Sequence, residues 1–130
     1  MEIDPTVTLR IPASTAQVML IRAAVSAMCA RLDFTIDRIE DVKLAVDEAA
    51  ALLLGDMAPE SHLDVRFTPE EPAGLRVALS GPTVHGRSLA RDSFTWTVLT
   101  ALVDEVVATV AADRTLTVSM SVHRAEAVRP

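Results

Sequence analysis

The residues best equipped for chemistry are the acids Asp47 and Glu48, far along the stretch Ile39–Leu54, IEDVKLAVDEAAALLL. A helical carboxylate can act as a general base toward a hydroxyl or a water, provided that it lies within hydrogen-bond reach of the nucleophile. An acid so placed suits phosphotransfer or ATP hydrolysis. One turn after Glu48, on the same face, comes Leu52, where such a site would want a metal-binding amide and where no oxygen is offered to a hard cation. Lys43 and Asp47 stand at i, i+4 and can pair on the surface. His62, His85 and His123 are scattered, without a second ligand at metal spacing, so no metal site is expected on them. Cys29 is the only cysteine, which excludes an intramolecular disulfide and a multi-thiolate zinc site. Set among Met28, Ala30 and Leu32, it reads as a buried thiol.

The elements that position these residues follow from periodicity. Thr6–Ile11 alternates Val7, Leu9 and Ile11 with polar neighbours, a half-buried strand that Pro12 ends. Ser14 or Thr15 can cap a helix whose apolar stripe is Val18, Ile21, Val25, Met28 and Leu32, with Arg22 and Arg31 off the stripe. Thr35 or Asp37 can cap a second helix that buries Ile36, Ile39, Val42, Val46, Ala49 and Leu53. Asp37, Arg38, Glu40, Asp41 and Lys43 are expected on its outside, and Gly55 at its stop. Leu63, Val65, Phe67 and then Leu75, Val77, Leu79 form a hairpin around a Glu70–Gly74 turn. Gly81–Asp92 is a long loop, of the kind that is often functional or mobile. Asp92 or Ser93 caps a third helix carrying Trp96, Leu99, Leu102, Val103, Val106 and Val110. Leu116, Val118, Met120 and Val122 alternate as a last strand, and 123–130 reads as a frayed tail.

This order predicts an α+β two-layer sandwich, a mixed or antiparallel sheet of about four strands covered on one face by three helices, in one domain over residues 1–130. Half of the residues are hydrophobic but only 3% are aromatic, so the core is aliphatic. The net charge of -6 argues against direct nucleic-acid binding, which needs clustered Lys and Arg, and is compatible with a basic protein partner. No leader opens the chain and no apolar run approaches the ~20 residues of a membrane span, so the cytoplasm is the default location.

The order of elements, the helix LAVDEAAALLL and the helix SFTWTVLTALVDEV resemble the anti-sigma factors and serine-protein kinases of the GHKL (histidine-kinase-like) ATPase superfamily. The likeness is to the actinobacterial stress-sigma branch and covers roughly residues 6–124. It implies a Bergerat-like fold with Glu48 at the position of the general base. An Asn four residues later would hold Mg²⁺, and Leu52 stands there instead. At the box that reads adenine the chain has Leu79-Ser80-Gly81-Pro82-Thr83, which keeps Gly81 but not the Asp. At the Gly-rich phosphate box it has Arg91-Asp92-Ser93-Phe94-Thr95, with no Gly. Ser80, Gly81, Asp92 and Ser93 are the positions a nucleotide would meet, and these departures imply weak or absent binding of ATP and Mg²⁺. Arg22 falls where an Arg of the first helix faces the sigma factor in the sporulation members.

Three functions follow. In the first, an anti-sigma factor masks a stress- or sporulation-type alternative sigma factor, is released by an anti-sigma antagonist with a STAS domain, and works as a homodimer. In the second, an ATP-dependent serine kinase phosphorylates that antagonist. The third is a dimeric module with some other protein partner. The first is the reading adopted.

Overall fold

The computed structural model describes residues 4–125. The chain runs β1 (Val7–Pro12), a short 3-10 turn (Thr15–Gln17), α1 (Val18–Arg31), α2 (Ile36–Leu54), β2 (His62–Glu70), β3 (Gly74–Pro82), α3 (Phe94–Leu102), β4 (Glu105–Val110) and β5 (Thr115–His123). The strands form one sheet in the order β1-β2-β3-β5-β4, and every pairing is antiparallel. The α+β sandwich is as expected, with one strand more than the sequence suggested.

Register explains the core. Leu9, Val65, Leu79, Val118 and Ala108 form one continuous row across the five strands. Because side chains alternate between faces along a strand, one face presents such rows of aliphatic residues while the other carries Arg10, Asp64, Arg76 and Ser119. On that outer face Arg76 donates to Ser119 Oγ at 2.8 Å and to Glu70 Oε2 at 3.1 Å. The helices cover the aliphatic face: Ile21, Val25 and Cys29 of α1 and Val42, Val46, Ala49 and Leu53 of α2 are sealed from solvent. Burial pushes the Cys29 thiol up to about 11, since desolvation disfavours the thiolate. Among the described residues no helix is long and apolar enough to cross a membrane.

The caps fall where short hydroxyls can accept from free N–H groups. Thr35 Oγ1 accepts from Arg38 N, and Ser93 Oγ accepts from Trp96 N, each at 3.1 Å. Three expectations need correction. Ile36, assigned to the buried stripe, is 79% exposed, because the inward position of that first turn is taken by Arg38. Arg38, assigned to the outside, is only 6% exposed. The helix assumed to run through Val106 and Val110 ends at Leu102, and Glu105–Val110 is the edge strand β4. Val103 caps α3 in an extended conformation, and the β-branched Val106, Val107, Thr109 and Val110 suit a strand.

His123 is also not part of a tail. It pairs with Gly74, and Arg124 N donates to Ala73 O at 2.9 Å. Residues 126–130 of the expected tail lie outside the described residues.

Candidate functional site

α2 lies between α1 and α3, and its outer surface separates two openings. The first is a cavity of about 430 Å³ whose lining includes Leu52 near the end of α2, Asp56 just beyond it, Arg87 and Leu89 of the loop after β3, Ser93 and Leu116. The second is an open groove of about 490 Å³ between Leu44, Asp47 and Glu48 of α2 and Val98, Ala101 and Leu102 of α3. Glu48 and Leu52 share a helix face in the sequence but line different openings.

The loop that closes the first cavity is well tied. Val84 N donates to Asp56 O at 2.7 Å, and His85 Nδ1 lies 2.6 Å from Asp56 Oδ1. The side-chain hydrogen bond from His85 is the main reason that the Asp56 carboxyl is held below its ordinary range. Arg114 Nη1 donates to Val84 O at 2.8 Å, and Thr83 Oγ1 donates to Arg114 O at 2.6 Å. Beyond these bonds Leu89 turns inward and joins the core at 7% exposure. None of these contacts was foreseen. His85 and Asp56 are far apart in sequence, and only the return of the chain after β3 brings them together.

The residues expected to meet a nucleotide are dispersed. Ser80 sits on the outer face of the sheet, where its hydroxyl is 3.1 Å from Thr117 Oγ1. Gly81 faces the helices, and a Cβ there would come 2.5 Å from Met57 Cε and 2.8 Å from Met57 Sδ. Close approach of Met57 is therefore what this glycine permits. Asp92 is exposed, and Ser93 is the N-cap of α3 and part of the cavity wall. Within this cavity Leu52 offers no ligand to Mg²⁺ and Asp56 is engaged by His85, while Leu89 and Leu116 share the wall with Arg87, Ser88, Ser93 and Thr95. The residues present do not supply a ligand set for Mg²⁺.

Arg22 is exposed on α1, and its Nε lies 3.6 Å from Asp47 Oδ2. The pairing anticipated between Lys43 and Asp47 is replaced by this bond and by Lys43 Nζ to Glu40 at 3.4 Å. Asp47 Oδ1 is sealed from solvent with no hydrogen-bond partner, and Glu48 has no partner among the described residues. Trp96 is half-buried against the core, with the Arg91 guanidinium 5.4 Å from its ring centroid.

Sequence reading missed the most connected polar group. Arg38 Nε donates to His123 O at 2.9 Å, Nη1 to Leu102 O at 3.0 Å and to Asp41 Oδ2 at 3.2 Å, and Nη2 to Asp104 Oδ2 at 2.7 Å. Asp104 Oδ2 also accepts from His123 N at 2.8 Å. One guanidinium thus joins the start of α2, the end of α3 and the last residue of β5. Its role is structural: it touches neither opening.

The architecture is that of a histidine-kinase-like sandwich, here with Leu52 where a metal-binding amide would stand. The crystal structure of the RsbU and RsbW domains of Rv1364c from Mycobacterium tuberculosis shares it, with a TM-score of 0.70 at 16% identity over 92% of this chain and 32% of that one. Among curated proteins, the anti-sigma-F factor RsbW of M. tuberculosis, in strains CDC 1551 and H37Rv, is 32% identical over 100 residues. That alignment takes in 77% of this chain, which spans about three-fifths (59%) of the length of those relatives. No protein-family model matches the chain. The fold and the aligned sequence bear out the resemblance to the anti-sigma factors of the GHKL superfamily.

Proposed function

We propose that the chain is an anti-sigma factor that holds a stress- or sporulation-type alternative sigma factor away from RNA polymerase and is freed by competition from a STAS-domain antagonist. The observation that carries this reading is Leu52 in the wall of the first cavity, where a phosphotransfer site would need a metal ligand, together with the tie of the cavity's carboxylate, Asp56, to His85. Likeness to proteins named anti-sigma-F factors supplies the class of partner. The protein acts in the cytoplasm as a homodimer. Exposed Met19 and Leu20 on α1, and Val7 on the edge strand β1, support an interface there. The kinase alternative would need Mg²⁺ held by something other than Leu52, and the remaining carboxylate of the cavity wall is tied to His85.

Arg22 is the proposed contact with the sigma factor. Its ion pair with Asp47 is long, at 3.6 Å, and only partly shielded from solvent, so it contributes little to stability; Arg22→Glu therefore leaves the fold intact and weakens capture of a co-expressed alternative sigma factor. Normal capture by the charge-reversed protein removes Arg22 from the interface. Failure of the unaltered protein to hold any of the host's alternative sigma factors removes the function. Isothermal titration with ATP and Mg²⁺ is expected to show no binding at millimolar nucleotide, whereas micromolar, Mg²⁺-dependent binding would revive the kinase.

A further inference from the structure

The groove between α2 and α3 sets exposed apolar side chains beside two carboxylates. Leu44 is 52% exposed, although it is a leucine in the middle of a long helix. Val98, Ala101 and Leu102 continue an apolar wall opposite it, and Asp47 and Glu48 stand at its rim. These carboxylates are poorly served. Among the described residues Glu48 has no partner, and Asp47 has one oxygen without a donor and the other 3.6 Å from an exposed arginine. A carboxylate beside an apolar wall gains most from a cation brought by whatever covers that wall, because the bond then forms in a partly desolvated place.

We propose that this groove docks an amphipathic helix of a protein partner, which lays two apolar side chains against Leu44, Val98 and Ala101 and sets a Lys or Arg beside Glu48. Two helices packed side by side leave a channel that accepts the apolar face of a third. The wall covers little more than one turn of α2 and of α3, so at about 1.5 Å per residue it admits two anchors and one cation. The chain's net charge of -6 steers a basic segment toward it and disfavours nucleic acid as the occupant. The inference rests on the reading that the chain works by holding a protein, and it adds a second point of attachment to the one at Arg22.

The test uses the full ¹⁵N-labelled chain and a panel of synthetic helix-forming peptides. These carry two Leu one turn apart with an Arg between them, and are matched to peptides with Glu for Arg or Ser for Leu. The Leu/Arg peptides should shift the amides of Leu44, Glu48, Val98 and Ala101, and the matched peptides should bind about tenfold more weakly or less, the loss of one good anchor. Leu44→Glu and Ala101→Glu, both at exposed positions, should abolish those shifts without changing the thermal melt, and Glu48→Lys should reverse the preference for charge. Absence of binding across the panel, shifts elsewhere, or indifference to the sign of the peptide's charge would overturn the proposal. Self-association lost in Leu44→Glu, with no peptide bound, would overturn it in favour of a second copy of the chain. Sigma capture that survives Leu44→Glu and Ala101→Glu would sink the groove and leave the anti-sigma reading. Peptide binding without capture of any sigma factor would do the reverse.

Discussion

At the start of α2, Arg38 is almost sealed from water, yet each of its three nitrogens has an acceptor within 3.2 Å. In the second half of the same helix, Asp47 and Glu48 are only half-buried, and Glu48 has no acceptor or donor at all among the described residues. A buried ion is tolerated where the fold supplies its whole hydrogen-bonding complement, and the half-buried Glu48, which has no such complement, stands where solvent or a partner can supply it. The first region is built to hold three elements together. The second faces outward. The cavity beyond Leu52 belongs with the first: its loop is tied by internal hydrogen bonds.

The sharpest way to break this contrast is at Arg38. Arg38→Met leaves Asp104 without its cation and should lower stability by about 3 kcal/mol or more in urea unfolding. Arg38→Lys, which lacks the planar fork, should recover only part of that loss. A cost near zero would mean that the cluster is no more built than the Glu48 groove. Next in size is Leu89→Ala, expected to cost about 2 kcal/mol, the lower end for a buried leucine, and to raise amide exchange from Val84 to Ser93. Unchanged exchange would show that the loop is held by Asp56 and Arg114 alone. Gly81→Ala should cost about 1 kcal/mol, since the flexible end of Met57 must move aside. Adding Met57→Ala should make the pair less destabilising than the sum of the two changes.

The smallest effect is at Asp56. Its carboxyl is held below the ordinary value of 3.8, chiefly by His85, so the ionised form is favoured in the folded state. The stabilisation is therefore complete above the unfolded value and is lost as the pH falls through the lowered one. An NMR titration of Asp56 should show that depression, and His85→Ala should return it toward 3.8.

Much of the fold was legible because the alternation in β2, β3 and β5 is strict and the hydroxyl caps at Thr35 and Ser93 are local signals. β4 was not, since Val103, Val106 and Val110 also satisfy a helical period, and the competing cue lies in tertiary structure: Arg38 Nη1 takes the carbonyl of Leu102, where α3 stops. Arg38 itself was misplaced because a charge on a helix reads as outward unless its acceptors are known, and these come from the far end of the chain. At the site, Leu52 was legible as a missing ligand. The inward turn of Leu89 and the covering of Gly81 by Met57 were not, because both depend on how a loop folds back across the helix. The sequence also set Glu48 and Leu52 one turn apart on one face, whereas the packing of α3 against α2 assigns them to separate openings.

The sealing of Cys29 has a practical consequence. A thiol raised to about 11 and fully covered reacts with alkylating reagents only when α1 lifts from the sheet. As the sole sulfhydryl in the sequence, it makes the protein its own stopwatch. The rate at which one label is incorporated measures how often the helical layer opens, and a partner seated on that layer would slow the count.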